Sequence, residues 1–267
     1  MSNWENMDKW EVVLPPSRPT IMELNRIEEY INEYERCEPV AVLGSTPEFR
    51  DLLARLGFKN RFIFDKSIEF YLRMSKLLPD GVRDGESLIV GEWNKTIKKY
   101  KGYFKIILSD LTMGNINYTD REQFYRNIAE SIKIGGTFID KVLVFDFEVP
   151  RVKDLFEKYE KLPINLRTIN DFSSEVLFCS ELVTRKKIVD STAFYEYIDN
   201  GDFSEKIKYF SKAARMITPE GFVWYYGVPW IELEDIYKSY YDNQIVFIEE
   251  DIISPYHKRT KQFYNIK

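Results

Sequence analysis

The segment Val40-Ala41-Val42-Leu43-Gly44-Ser45-Thr46-Pro47-Glu48 constrains the fold more than any other part of the chain. Four apolar residues in a row leave no polar face for water, so a strand made of them has to be covered on both sides. Gly44 ends the run, Thr46 suits a helix N-cap, Pro47 is preorganised for the first helical position, and Gly57 stops the helix after Leu56. A strand that passes at once into a helix, and is buried on both faces, belongs in a parallel sheet with helices on each side.

The same alternation recurs along the chain. Arg61 to Phe64 predicts a strand, Ile68 to Leu77 a helix, Ser87 to Val90 and Phe104 to Leu108 two strands, residues 120–132 a helix, and Gly135-Gly136 a turn into a strand from Thr137 to Phe145. Strands alternating with helices at this spacing imply an α/β fold with a doubly wound, mostly parallel sheet. Near the C-terminus a helix over 232–241 and two apolar runs, 245–248 and 262–266, joined through Ser254-Pro255-Tyr256, predict an antiparallel hairpin that completes the sheet. Between these parts, residues 148–217 read as a helical insertion. Its aromatics, among them Phe194, Tyr195, Tyr197, Tyr209 and Phe210, either pack on the sheet domain or cap a substrate pocket. Ahead of the sheet, Pro15, Pro16 and Pro19 stiffen an extended arm that leads into a helix capped by Thr20. The expected organisation is therefore 1–38 as arm and helix, 39–147 as the α/β core, 148–217 as the insertion, and 218–267 as the closing helix and hairpin.

Composition narrows the function. With 267 residues, 44% of them hydrophobic, and 19 Phe, 18 Tyr and 5 Trp, the chain can bury a sizeable core and is too aromatic-rich for disorder. A net charge of −5 has the wrong sign for a protein that grips a nucleic-acid backbone, and the clusters Arg185-Lys186-Lys187 and Lys258-Arg259 read as solvated faces. No apolar run approaches a membrane span and the first residues lack a signal-peptide layout, so a cytoplasmic location without membrane contact is expected. Cys37 and Cys179 form no metal or disulfide pattern, and with a single histidine no metal is expected.

In open α/β sheets ligands bind beyond the carboxyl ends of the strands, and four successive strand ends here carry polar groups. The first ends in Gly44 before a helix N-terminus, where free N–H groups and the helix dipole suit an anion. The second ends in Asp65, about twenty residues on, where nucleotide-binding folds place an acid on ribose hydroxyls; capping the next helix is a compatible role. The third ends in Gly91-Glu92-Trp93, an acceptor and a flat ring for an adenine, or a tryptophan that only packs. The fourth ends in Ser109-Asp110-Leu111-Thr112-Met113-Gly114-Asn115.

Together these residues resemble the class I S-adenosylmethionine-dependent methyltransferases, and in particular a branch with Leu-Gly-x-Thr-Pro-Glu in place of the usual glycine-rich loop. The likeness rests on Leu43-Gly44-Ser45-Thr46-Pro47-Glu48, Asp65-Lys66-Ser67, Gly91-Glu92-Trp93, Ser109-Asp110, the turn Ile134-Gly135-Gly136-Thr137, and the upstream Pro-Pro-Ser-Arg-Pro arm. It covers residues 10–143 and, through the helix-hairpin ending, 218–267. It implies a Rossmann-like fold of class I methyltransferase type and S-adenosylmethionine as cofactor. The methionine carboxylate would lie near Gly44, Ser45 and Thr46, the ribose on Asp65 beside Lys66, and the adenine near Glu92, Trp93, Asp110 and Leu111. Arg18, the cation of the arm, has reach to a carboxylate on donor or acceptor. The arm is expected to fold over the donor as a lid; the competing expectation is that it packs Trp10, Val12 and Leu14 on the sheet domain while Arg18 stays solvated.

Methyl transfer is a direct displacement, so the enzyme mainly aligns its reactants. Where the acceptor must lose a proton, the candidate bases are Asp110, Asn115, Tyr226 and His257. The expected acceptor is a small molecule or a peptide side chain, with no nucleic acid. Only one glycine of the usual loop remains, which keeps a non-catalytic binding or scaffolding subunit as the alternative. An oxidoreductase is disfavoured by the missing GxGxxG.

Overall fold

The computed structural model describes residues 10–144, 148–184, 188–225, 229–247 and 260–267. After a short 3-10 turn at Trp10–Val12, the elements run α1 (Ile21–Ile31), β1 (Val40–Leu43), α2 (Pro47–Arg55), β2 (Arg61–Asp65), α3 (Ile68–Ser75), β3 (Glu86–Val90), α4 (Trp93–Thr96), β4 (Phe104–Asp110), α5 (Arg121–Ser131) and β5 (Ile132–Leu143). The insertion follows as α6 (Val152–Lys161), α7 (Leu166–Phe172), a π-helical turn Ser173–Leu177, α8 (Glu181–Thr184), β6 (Ile188–Asp190), α9 (Ser191–Asp199) and α10 (Glu205–Ala214). The chain closes with β7 (Val223–Tyr225), α11 (Trp230–Lys238), β8 (Asn243–Phe247) and β9 (Thr260–Ile266).

Seven strands form one sheet in the order β3-β2-β1-β4-β5-β9-β8. Strands β1 to β5 are mutually parallel, and β9 runs antiparallel between β5 and β8. This is the doubly wound, mostly parallel, Rossmann-like sheet, with an antiparallel C-terminal pair. The physical cause is legible in β1. Val40 and Val42 face a core shared with Ile27 and Ile31 of α1 and Leu52 and Leu53 of α2, while Ala41 and Leu43 face the opposite core with Phe124 and Ile128 of α5. The period-two side-chain alternation of a strand thus feeds two apolar layers, and every residue of β1 is buried.

Three expectations need correction. The strand expected to start at Thr137 starts at Ile132: Gly135-Gly136 is an irregularity inside β5, bridged to the C-terminus by Gly135 N–H on Lys267 O and Lys267 N–H on Gly136 O. The insertion's aromatics build a core that also takes in Trp10 and Val13 of the arm, Met74 of α3 and Leu143 of β5, with Phe172 and Phe210 stacked at 5.2 Å and Tyr159 edge-on to Phe172 at 5.1 Å, whereas Tyr197 and Tyr209 are exposed. Strands β6 and β7 pair into a separate two-stranded sheet, in a stretch read as plain helix and loop.

The arm packs on the insertion as well as on the sheet domain. Trp10 and Val13 belong to the insertion's core. Asn170 of α7 pairs with the arm backbone like a strand neighbour, accepting Leu14 N–H at 2.9 Å and donating to Val12 O at 2.9 Å. Arg167 adds a bond to Pro15 O at 2.9 Å.

Candidate functional site

A cavity opens over the carboxyl ends of β1, β2, β3 and β4, roofed by the arm and the insertion. Gly44, at φ +88°, turns the chain out of β1 in a conformation that suits a residue without Cβ. Thr46 caps α2 through backbone position alone, its side chain making no cap bond. The first N–H groups of α2 therefore rely on other partners, and Gly44, Ser45 and Thr46 all line the cavity.

Asp65 is buried at the end of β2. Its Oδ2 accepts the Ser45 hydroxyl at 2.5 Å and its Oδ1 the Ser67 N–H at 3.0 Å. Burial raises its pKa, and those two hydrogen bonds oppose the rise. Ser67 in turn caps α3 by accepting Phe70 N–H. Asp65 thus faces the cavity and organises the loop, while the cap of α3 expected of it falls to Ser67. Lys66 beside it is exposed at the rim. Trp93 donates its indole N–H to Phe64 O at 2.7 Å, which fixes the ring between β2 and the cavity; Glu92, exposed, is the residue before α4.

Asp110 ends β4 with its side chain almost wholly enclosed. Its Oδ1 lies 3.4 Å from Lys141 Nζ without a well-formed hydrogen bond. Lys141 is shared: it also reaches Glu23 Oε2 at 3.0 Å and Arg18 O at 3.1 Å. Burial pushes the Asp110 carboxyl up to about 7; Lys141 pulls it down, while Glu23 and Glu48 push it further up. Burial works against the charge on Lys141, and the carboxylates of Asp110 and Glu23 outweigh it and hold its pKa above the ordinary value. The next residue, Leu111, adopts a left-handed conformation at φ 55°, the one positive φ outside glycine among the described residues. Such strain in a non-glycine residue gathers at functional sites. A 3-10 turn, Thr112–Asn115, then carries Asn115 along the cavity wall.

Gly114 in that turn lies against Trp224: a Cβ there would meet the indole at 1.5 Å, so only glycine lets this wall close. Of the expected site residues, Gly44, Ser45, Thr46, Asp65, Lys66, Glu92, Trp93, Asp110, Leu111 and Asn115 come together around the one cavity. Tyr226 and His257 lie outside the described residues. Arg18 does not line the cavity; its Nε pairs with Glu48 Oε1 at 3.0 Å, and Trp10 Nε1 donates to the same oxygen at 3.1 Å. Arg18 is thus held by Glu48 with its side chain 30% exposed, rather than left free in solvent.

Sequence reasoning missed Lys141, Glu23, Ser173, Ser174 and Trp224. A signal existed for Lys141, a charged residue inside an apolar strand. Burying such a charge needs partners, and those partners proved to be Asp110 and Glu23. Among the described residues no group of three or more His, Cys, Asp or Glu is placed to hold a metal ion, and no helix is long and apolar enough to cross a membrane.

No protein-family model and no curated protein matches the sequence. Solved structures do match over the full length. The PH0226 protein of Pyrococcus horikoshii OT3 is 12% identical, with 96% of this chain and 97% of that one covered at a TM-score of 0.53. A Rhodobacter sphaeroides protein described as a candidate Zn-dependent alcohol dehydrogenase is 12% identical, with 97% and 94% covered at 0.54. The glycopeptide N-methyltransferase MtfA complexed with S-adenosylmethionine aligns over 46% of this chain and 54% of its own at 18% identity, with a TM-score of 0.39. What the first two share with this chain is the fold.

Proposed function

We propose that the protein is an S-adenosylmethionine-dependent methyltransferase acting on a small-molecule or peptide acceptor, with the donor held at the carboxyl ends of β1 to β4. The observation that carries this reading is the convergence on one cavity of an uncapped helix N-terminus at Thr46, the buried acid Asp65, the acceptor-and-ring pair Glu92-Trp93, and the enclosed acid Asp110. The residues present fit the donor's chemistry: helix N–H groups for a carboxylate, carboxylates for ribose hydroxyls and an exocyclic amine, an indole face for a purine. Among the described lining residues, Asp65 and Glu92 outnumber the one cation Lys66, while Asp110 is met by Lys141 behind it, a balance that suits a ligand carrying positive charge.

When bound, the donor supplies a methyl group already activated by its sulfonium. The chain's own residues then have three tasks. Gly44, Ser45 and Thr46 orient the amino-acid end. Asp65 and Trp93 fix the nucleoside. Asp110, poised near neutrality, accepts a proton from an acceptor that must lose one. Trp10, Val13 and Ser17 of the arm cover the cavity and limit water.

A second reading, a binding or scaffolding subunit without turnover, draws on the Ser45 hydroxyl occupying Asp65 Oδ2 where a ribose would bond. Calorimetric titration separates the two in part. Binding of both S-adenosylmethionine and its demethylated product S-adenosylhomocysteine supports the methyltransferase, and absence of heat with either contradicts it.

A further inference from the structure

The cavity has a second wall that the donor reading leaves unused. It is built by the arm, by α3, by the insertion and by β7, through Trp10, Val13, Met74, Phe178, Ile217 and Trp224. Trp224 is fixed on one side by Gly114 and on the other by Phe178, whose ring is edge-on at 5.2 Å. Three side-chain hydroxyls, of Ser173, Ser174 and Thr218, interrupt this apolar lining. Ser173 and Ser174 come from the π-helical turn, a widened helical turn that recurs at functional sites. Thr218 Oγ1 shares a hydrogen bond of 3.0 Å with Ser173 Oγ, and Thr218 O accepts the hydroxyl of Tyr195 at 2.5 Å. The polar groups of this wall are therefore few, neutral and held in place.

Charge decides what such a wall accepts. Among the described cavity-lining residues the one Lys or Arg is Lys66, at the end of β2 on the donor side. A phosphate or carboxylate seated against Trp224 and Ser174 would be taken out of water without a cation to meet it, and it would approach Asp110. A neutral apolar molecule has no charge to strip of water on entry and gains contact with the rings.

Resting on the methyltransferase reading, we infer that this wall binds the methyl acceptor, and that the acceptor is an uncharged, largely apolar or aromatic small molecule with a single polar handle met by the hydroxyls of Ser174 and Thr218. The acceptor class thereby excludes nucleotides and organic acids.

The test uses a matched pair of probes, 2-naphthol and 2-naphthoate, titrated by calorimetry at pH 7.5 into the full chain saturated with S-adenosylhomocysteine. The expected result is 2-naphthol binding at least tenfold more tightly than 2-naphthoate, without displacing S-adenosylhomocysteine. Ser174→Leu, which fills the wall, is expected to weaken 2-naphthol at least tenfold and to change the Kd for S-adenosylhomocysteine less than twofold. Should that variant fail to fold, Thr218→Val, which keeps the volume and removes the hydroxyl, is expected to weaken 2-naphthol about fivefold. Equal or reversed preference between the probes, competition with S-adenosylhomocysteine, or indifference to both substitutions overturns the inference. Failure of S-adenosylhomocysteine to bind is a separate result. It sinks the methyltransferase reading and the word acceptor with it, while the probe preference, read on the free protein, still decides the chemistry of the wall.

Discussion

Replacing Asp65 by alanine removes the carboxylate that the site reading assigns to the donor ribose. A hydrogen bond to a charged group is worth about 1.5 to 3 kcal/mol, which corresponds to a donor Kd weakened roughly ten- to a hundredfold. Asp65 also ties Ser45 at 2.5 Å and Ser67 N–H at 3.0 Å, so the same substitution loosens the loop. Ser45→Ala separates the two effects. It removes one loop bond and leaves Asp65 Oδ2 free for a ligand, so its donor Kd is expected to stay within about threefold of the wild-type value or to tighten. Titration calorimetry with S-adenosylhomocysteine on wild type and both variants reads the difference, with circular dichroism melts to confirm folding. If folded Asp65→Ala binds as well as wild type, or if Ser45→Ala loses as much as Asp65→Ala, the loop's architecture and not a ribose contact governs the site.

Asp110, at about 7, passes from mostly protonated to mostly ionised between pH 6 and 8, and its charge favours the sulfonium donor over the neutral product. The affinity ratio of S-adenosylmethionine to S-adenosylhomocysteine is expected to rise roughly three- to tenfold over that interval and to be flat in Asp110→Asn; a flat wild-type profile refutes the assignment. Asp140, buried among Tyr125 and Tyr237, whose hydroxyls donate to it at 3.2 and 2.6 Å, is likewise pushed up to about 7 by burial. Its folded pKa lies above the unfolded value near 4, so its contribution is fullest at acid pH and is lost as pH rises through 7, with a slope approaching about 1.4 kcal/mol per pH unit. Asp140→Asn is expected to lessen the fall of urea-unfolding stability between pH 5 and 7, and an unchanged slope counts against the shift. For the arm, amide exchange over residues 12–22 is expected to slow when S-adenosylhomocysteine is added. Arg18→Ala, which breaks a partly exposed pair with Glu48, is expected to speed exchange there about three- to fivefold. Equal protection with and without ligand removes the lid role.

The sheet was legible because its strands are short apolar runs bounded by turn residues, and β1, β2 and β4 begin where those runs do. The strand-end residues followed from the rule that open sheets bind ligands at their carboxyl edge, a rule that needs only strand order. Long-range partnerships were not legible. Nothing local to Lys141 names Glu23 or Asp110, and nothing local to Asn170 says that it will pair with the arm 156 residues away. The sequence neighbours of Arg18 likewise give no hint of Glu48, which reaches it from the first turn of α2. The two-stranded sheet of β6 and β7 escaped because three-residue strands carry too little periodicity to be told from loop. Trp224 entered the site through Gly114, a close approach that no spacing in the sequence encodes.

The central claim is that a methyl donor lies over the carboxyl ends of β1 to β4, and a crystal structure of the protein grown with S-adenosylhomocysteine tests it most directly. The account predicts density with its amino-acid end at Gly44 to Thr46, its ribose within hydrogen-bond distance of Asp65 and its purine beside Trp93. Density for the ligand elsewhere in the fold, or that cavity filled by a different molecule while the ligand is left in solution, would contradict it.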